Sequence, residues 1–269
     1  MNTTFARFAL TLPVALAIGC DNTSDSGDDT VEATVAALSA SESEGAGMQL
    51  GSLAFARGGS GLTAGQRIQR LREHIAEALT CAEVGPSDGD AVSLTFGKTC
   101  SWNGRRWTGT VEVAYAADGS SASLDFDGVA VNGSTISGSL DVTWLAEHHV
   151  QVVSDTTRNL NTPRGARLVV GHSDGEFMWD DTSYTVVSAD QTVTVNGVTA
   201  TRSADDVVWL KAAYSPESGT ASFTGFRGKT FTFVFSVTDG VHQVTVTRPD
   251  GTTRTFDVEP TASSATSDG

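Results

Sequence analysis

Residues 123–144 read SLDFDGVAVNGSTISGSLDVTW, and this stretch decides the fold. Asn132 and Gly133 stand at its centre, and Asn-Gly readily adopts the two positive φ angles of a type I′ turn. On each side the apolar residues keep one parity, which is typical of strands with one buried face. The parity changes once, at Asp127-Gly128, which predicts a β-bulge. We therefore predict a two-residue hairpin whose inward residues are Leu124, Phe126, Val129, Val131, Ile136, Leu140, Val142 and Trp144.

Similar patterns recur along most of the chain, from residue 90 to residue 258. Short turns join antiparallel neighbours, so we predict an all-β fold, an antiparallel meander of about a dozen strands. A sheet of this length curls, folds over into a sandwich or becomes barrel-like. We expect one domain over 62–260 and a disordered tail over 261–269. The pairs that predict turns are Asn103-Gly104, Asp118-Gly119, Asn132-Gly133, Asp174-Gly175, Asn196-Gly197, Asp239-Gly240 and Asp250-Gly251.

One segment has helical periodicity. We predict an amphipathic helix over 63–82 that packs on the sheet, beginning at a capping box made by Thr63 and Gln66. Its apolar stripe consists of Ile68, Leu71, Ile75 and Leu79. The opposite face is predicted to be solvated, and it carries Arg67, Arg70, Arg72, Glu73 and Glu77.

The first nineteen residues are typical of an export signal, with Arg7 before an apolar run over 8–18. The run ends in Ala-Ile-Gly-Cys at 17–20, which resembles the lipobox of bacterial lipoproteins, although Leu more often occupies the position of Ala17. The resemblance implies that Cys20 is acylated, becomes the mature N-terminus and anchors the protein in the cell envelope, on the periplasmic or the cell-surface side. The alternative is an ordinary secretory signal with an incidental cysteine. Residues 20–61 are rich in small and acidic residues and predict a disordered tether.

The charge of the chain argues against nucleic-acid binding. The whole sequence has a net charge of -15, and removal of residues 1–19 takes away Arg7 and no acid, which leaves -16. A field of this sign repels phosphate backbones and favours solubility.

Three cysteines are present, and one is assigned to lipid. The remaining pair, Cys81 and Cys100, predicts a disulfide in an exported protein, which would join the end of the helix to the start of the sheet. A catalytic thiol or a metal pair is the alternative, but neither cysteine lies in a CxxC spacing or beside a histidine.

A second resemblance covers residues 92–143. The succession VSLTFGKTC, GRRWTGTVEVAY and SLDFDGVAVNGSTISGSLDVT is similar to a pattern in β-rich lipoproteins of Gram-negative bacteria, a group without an established function. The resemblance implies the fold and the envelope location and carries no catalytic residue. The matching residues are Phe96, Gly97, Cys100, Gly104, Gly109, Phe126, Val131, Asn132, Gly133, Ile136 and Gly138.

Residues 171–175 read GHSDG, a literal match to the G-x-S-x-G nucleophile elbow of α/β-hydrolases. The elbow requires a strand before it and a helix after it, whereas strand patterns flank this motif on both sides. We therefore predict that Ser173 is a turn residue and that the protein is not an enzyme, with a serine hydrolase as the alternative.

The histidines, the acidic pairs and the tryptophans are the residues that could form a metal or ligand site. His148 and His149 are adjacent on a predicted strand and point to opposite faces, and no calcium-loop motif accompanies the acidic residues, so no metal or cofactor is predicted. The tryptophans could form a surface that stacks on a sugar, but Trp107, Trp144 and Trp209 share parity with apolar neighbours and are predicted to be core residues, so Trp179 is the weak candidate for a ligand contact. The other candidate residues are His172, His242, Asp125, Asp180, Asp181, Asp205, Asp206 and Trp102.

Two functions are consistent with these observations. The first is a membrane-anchored envelope lipoprotein whose sheet has a structural or interaction role. The alternative is a carrier or binder of an apolar ligand, such as a lipid, in a groove between the sheet and the helix. A pocket beside the helix would favour the carrier, and a helix packed flush against the sheet would favour the structural role.

Overall fold

The computed structural model describes residues 61–258 except for 103, 163–164, 196, 211–215 and 226. Within these described residues, one helix, α1, precedes thirteen strands. Their bounds are α1 Ala64–Ala78, β1 Ala82–Val84, β2 Ala91–Trp102, β3 Arg105–Tyr115, β4 Ser121–Val131, β5 Ser134–Ala146, β6 His149–Thr162, β7 Gly165–Trp179, β8 Ser183–Val195, β9 Val198–Leu210, β10 Pro216–Thr224, β11 Thr230–Thr238, β12 Val241–Thr247 and β13 Thr253–Asp257. The predicted signal over 1–19, the lipid site Cys20 and the tail over 261–269 lie outside the described residues, as does the tether apart from residue 61.

The thirteen strands form one antiparallel sheet in which each strand pairs with the next along the chain. The predicted meander is therefore confirmed. In the described part of the chain the sheet is open, with β1 and β13 at its edges. Short turns dictate this order, because a chain that reverses within a few residues leaves its next strand beside the last one.

The hairpin of β4 and β5 forms as predicted. Asn132 and Gly133 have φ angles of 51° and 81°, the conformation that a type I′ turn requires. The register shifts between Phe126 and Val129, and Gly128 has a φ of 70°, so the bulge is confirmed as well. The bulge reverses which parity points inward, and this keeps the apolar residues of both segments on one face.

The turn predicted at Asp174-Gly175 is wrong. Both residues lie inside β7, where Gly175 pairs with Val152 of β6 and with Ala189 of β8. Glycine is needed there for space, because a Cβ atom at this position would lie 2.7 Å from the ring of Phe177. The ring of Phe177 packs over Gly175 within the strand, and this contact explains the glycine of the Asp-Gly pair. The chain does not reverse there.

The helix begins as predicted and ends earlier. The backbone amide of Thr63 donates to Oε1 of Gln66 over 2.9 Å, and the amide of Gln66 donates to the hydroxyl of Thr63, which completes the capping box. The helix stops at Ala78, because Leu79 has left helical geometry with a φ of −146°. The predicted apolar stripe is fully buried: Ile68, Leu71, Ile75 and Leu79.

The prediction that Arg67 is solvated is wrong, although Glu73 and Glu77 are exposed as expected. Arg67 is only 3% exposed. Its Nε donates to the carbonyl of Gly119 over 2.6 Å, and its guanidinium carbon lies 3.4 Å from the ring centroid of Trp144. Burial lowers the pKa of this guanidinium, and the aromatic face and the carbonyl compensate for the lost water.

The buried residues of the strands lie on one face of the sheet, called the inner face below, and the helix packs on it. Most of them form one apolar cluster that includes residues from β2 to β12, such as Leu94, Leu124, Val207 and Val244, and Val169 and Val193 form a second, small cluster. The predicted disulfide is confirmed, with the Cα atoms of Cys81 and Cys100 5.0 Å apart. It fixes the end of α1 to β2.

Candidate functional site

Ser173 lies in the middle of β7, which contradicts its prediction as a turn residue. Its neighbours across the sheet are Ser154 of β6 and Gln191 of β8. β7 continues as a strand to Trp179, so the motif has no helix after its serine. A nucleophile elbow needs that helix and the sharp turn before it, and this part of the chain has neither.

The histidines are dispersed. His148 lies in the turn between β5 and β6, with a φ of 59°, and not on a strand as predicted. His149 Nε2 lies 2.6 Å from Oε1 of Glu176, and His172 Nδ1 lies 2.8 Å from Oδ1 of Asp155. His242 is buried, with its Nδ1 3.1 Å from the carbonyl of Pro216.

The acidic pairs serve local structure. The backbone amide and hydroxyl of Thr182 and the amide of Ser183 donate to the carboxylate of Asp180, and these hydrogen bonds hold its pKa below the ordinary range. Asp206 has a positive φ where β9 is irregular. Within residues 61–258, as far as they are described, no group of three or more His, Cys, Asp or Glu side chains is placed to hold a metal ion.

Four tryptophans belong to the core, namely Trp102, Trp107, Trp144 and Trp209. The core positions predicted for Trp107, Trp144 and Trp209 are confirmed, and these rings offer no surface for stacking on a sugar. Trp179 is half-buried at the end of β7, where its ring centroid lies 5.5 Å from that of His148. The ring thus covers the adjacent turn.

The inner face contains a polar segment that the sequence analysis missed. One row of directly opposed residues crosses ten strands, and we call it the middle row. The row is apolar in β2 to β5, polar in β6 to β9 and aromatic in β10 and β11. Its members in order are Val92, Val113, Leu124, Leu140, Ser154, Ser173, Gln191, Arg202, Phe223 and Phe231.

Buried donors concentrate in this part of the face. Gln191 is 5% exposed, and Arg158, two rows away on β6, is 3% exposed. The Nε and Nη2 atoms of Arg202 are buried, and burial lowers the pKa of this guanidinium to about 9, so it stays charged at neutral pH. A sequence signal was present, because Arg202 shares the parity of the inward residues Ala200 and Ala204.

No protein-family model matches the chain. No curated protein and no solved structure has significant similarity to it either. The described residues therefore define the class by their fold, which is all-β, with a long open meander that packs on one helix. In the described residues, no helix combines the length and the apolar character that a membrane crossing requires.

Proposed function

We propose that this protein is a bacterial envelope lipoprotein, anchored through acyl chains on Cys20, whose sheet has a structural or interaction role and not a catalytic one. The lipobox-like residues 17–20 motivate the anchor. The disulfide between Cys81 and Cys100 supports export, since disulfides persist in oxidising compartments outside the cytoplasm.

The packing of the helix is the observation that carries the structural role. Leu71 of the helix is 2% exposed, and Leu94 and Leu140 of the sheet are 1% and 0% exposed. A ligand groove between helix and sheet would leave such side chains accessible. The seam is filled with protein instead, which favours a structural element over a carrier with its site at this place.

The outer face suits contact with water or with a polar partner. Hydroxyl groups pair across neighbouring strands at Thr95 and Thr110, 3.1 Å apart, and at Thr245 and Thr255, 2.9 Å apart. Such pairs stabilise adjacent strands. The same face also carries Leu168, Val170 and Val234, which are 47%, 44% and 41% exposed.

Membrane fractionation combined with mass spectrometry of the N-terminal peptide tests the anchor. We expect the mature chain to begin at an acylated Cys20 and to be found with the membranes. A Cys20→Ala variant is the matched control, and it should move to the soluble fraction without loss of fold. Wild-type protein with a free Cys20 thiol in soluble material would contradict the proposal.

A second candidate function, the binding of an apolar ligand, is favoured by the inner face of the last strands. Phe256 of β13 lies opposite the buried Val244 and is 40% exposed, and Val237 at the end of β11 is 38% exposed. Apolar side chains of the inner face are thus accessible where the helix does not cover them. Native mass spectrometry of Cys20→Ala protein purified without detergent would report a retained ligand, and an apo spectrum would leave the structural role alone.

A further inference from the structure

The side chain of Gln191 has an unsatisfied donor inside the protein. Its Nε2 atom is buried and has no hydrogen-bond partner among the described residues. Buried polar groups in native proteins are nearly always hydrogen-bonded, so an isolated donor of this kind needs an explanation. An acceptor that the protein chain does not itself supply would provide one.

Arg202 places a positive charge beside this donor. It lies directly opposite Gln191 on the neighbouring strand, and the two side chains share the inner face. The second buried arginine, Arg158, lies on the same face of β6. The described inner-face positions of β6 to β9 include both arginines and no Asp or Glu. Guanidinium and amide N–H groups together match the oxygens of a carboxylate.

The surroundings of Arg202 indicate what is attached to that carboxylate. Phe223 lies directly opposite Arg202 on β10, and Phe231 follows on β11. The adjacent row on the other side contains Val193 and Ala200, both buried. A charged group surrounded by aromatic and aliphatic side chains suits a ligand with one anionic end and an apolar body.

We propose that the inner face of β7 to β10 binds the carboxylate of a long-chain fatty acid, with the Arg202 guanidinium and the Gln191 amide as donors and Phe223 and Phe231 against the alkyl chain. The inference rests on the second candidate function and gives it a site and a ligand class. It does not depend on the membrane anchor.

Calorimetric titration of oleate into the full exported chain with Cys20→Ala tests the site, because this chain has no acyl group of its own. We expect saturable binding of one oleate. Arg202→Met and Gln191→Leu should each weaken it by about ten- to a hundredfold, the effect of removing a hydrogen bond to a charged group. Arg106→Met, an exposed arginine on the outer face, is the matched control and should bind as the parent does.

Thermal unfolding of each variant shows whether it is folded. A ligand that binds only the native state should, at equal concentration, raise the melting temperature of the parent more than that of Arg202→Met. Oleate that binds the parent and Arg202→Met equally well would overturn the site while leaving a carrier function in place. Absence of oleate binding in the parent would overturn both. Equal affinity for oleyl alcohol would contradict recognition of the ligand's negative charge. Binding of inorganic phosphate without binding of oleate would contradict recognition of an apolar body.

Discussion

The two halves of the sheet use the same rows of inner-face positions differently. In β2 to β5 the middle row consists of Val92, Val113, Leu124 and Leu140, and the helix is fixed beside these strands by the disulfide and by Arg67. In β6 to β9 the same row consists of two serines, Gln191 and Arg202. In the first half this row is apolar and buried, whereas in the second half it consists of polar side chains.

Truncation of a middle-row residue in the helix-covered half should have the largest effect. Leu124→Ala removes a side chain that is 2% exposed and leaves a cavity, so we expect a loss of about 2–5 kcal/mol in the free energy of unfolding. Urea unfolding followed by tryptophan fluorescence measures it. A loss below about 1 kcal/mol would show that this half is not the stable core.

Removal of the disulfide should come next. Replacing both Cys81 and Cys100 by Ser opens a connection between residues separated by 19 positions, and we expect a loss of about 2–4 kcal/mol. The same unfolding experiment measures it, and non-reducing peptide mapping shows whether the bond exists. Two alkylatable thiols in native protein would contradict the prediction.

Arg67 should have an intermediate effect. Arg67→Met keeps much of the buried volume but loses the hydrogen bond to Gly119 and the contact with Trp144, at an expected cost of about 1–3 kcal/mol. Arg106→Met, at an exposed arginine of β3, is the control, with an expected change within about 0.5 kcal/mol. Equal effects of the two variants would mean that Arg67 is not a specific anchor.

Ser173→Ala should have the smallest effect. Ser173 lies in the middle row, like Leu124, but in the other half of the sheet. Loss of its hydroxyl should change the free energy of unfolding by about 1 kcal/mol or less. A fluorophosphonate probe should leave the wild-type serine unlabelled, because a strand interior lacks the exposed geometry of a nucleophile. Specific labelling that Ser173→Ala abolishes would refute the non-enzymatic role.

Local signals account for the part of the fold that the sequence predicted. The β4–β5 hairpin needs only a turn dipeptide and parity, and both lie within residues 123–144. The capping box of the helix involves residues three positions apart. These contacts join residues that are close in the sequence. The meander, the bulge and the start of the helix could therefore be predicted from the sequence.

The predictions that are wrong depend on contacts that the local sequence pattern does not show. The hydrogen-bond partner of Arg67 is 52 positions away, and no local pattern distinguishes this arginine from the two less buried arginines of the same helix. The Asp174-Gly175 pair satisfies a turn pattern equally well, and only the ring of Phe177 over Gly175 explains its place in a strand. The parity of the sequence places the residues of the polar segment on the inner face. They form one segment only because four strands lie side by side.

Hydrogen exchange of the Cys20→Ala chain, with and without oleate, tests the difference between the two halves most directly. Amides of β2 to β5 should exchange slowest and be unchanged by oleate, because they are buried beneath the helix. Amides of β7 to β10 should exchange faster in the free protein and slow down when oleate is bound. Uniform protection of both halves with no response to oleate, or a response confined to the helix, would contradict the account.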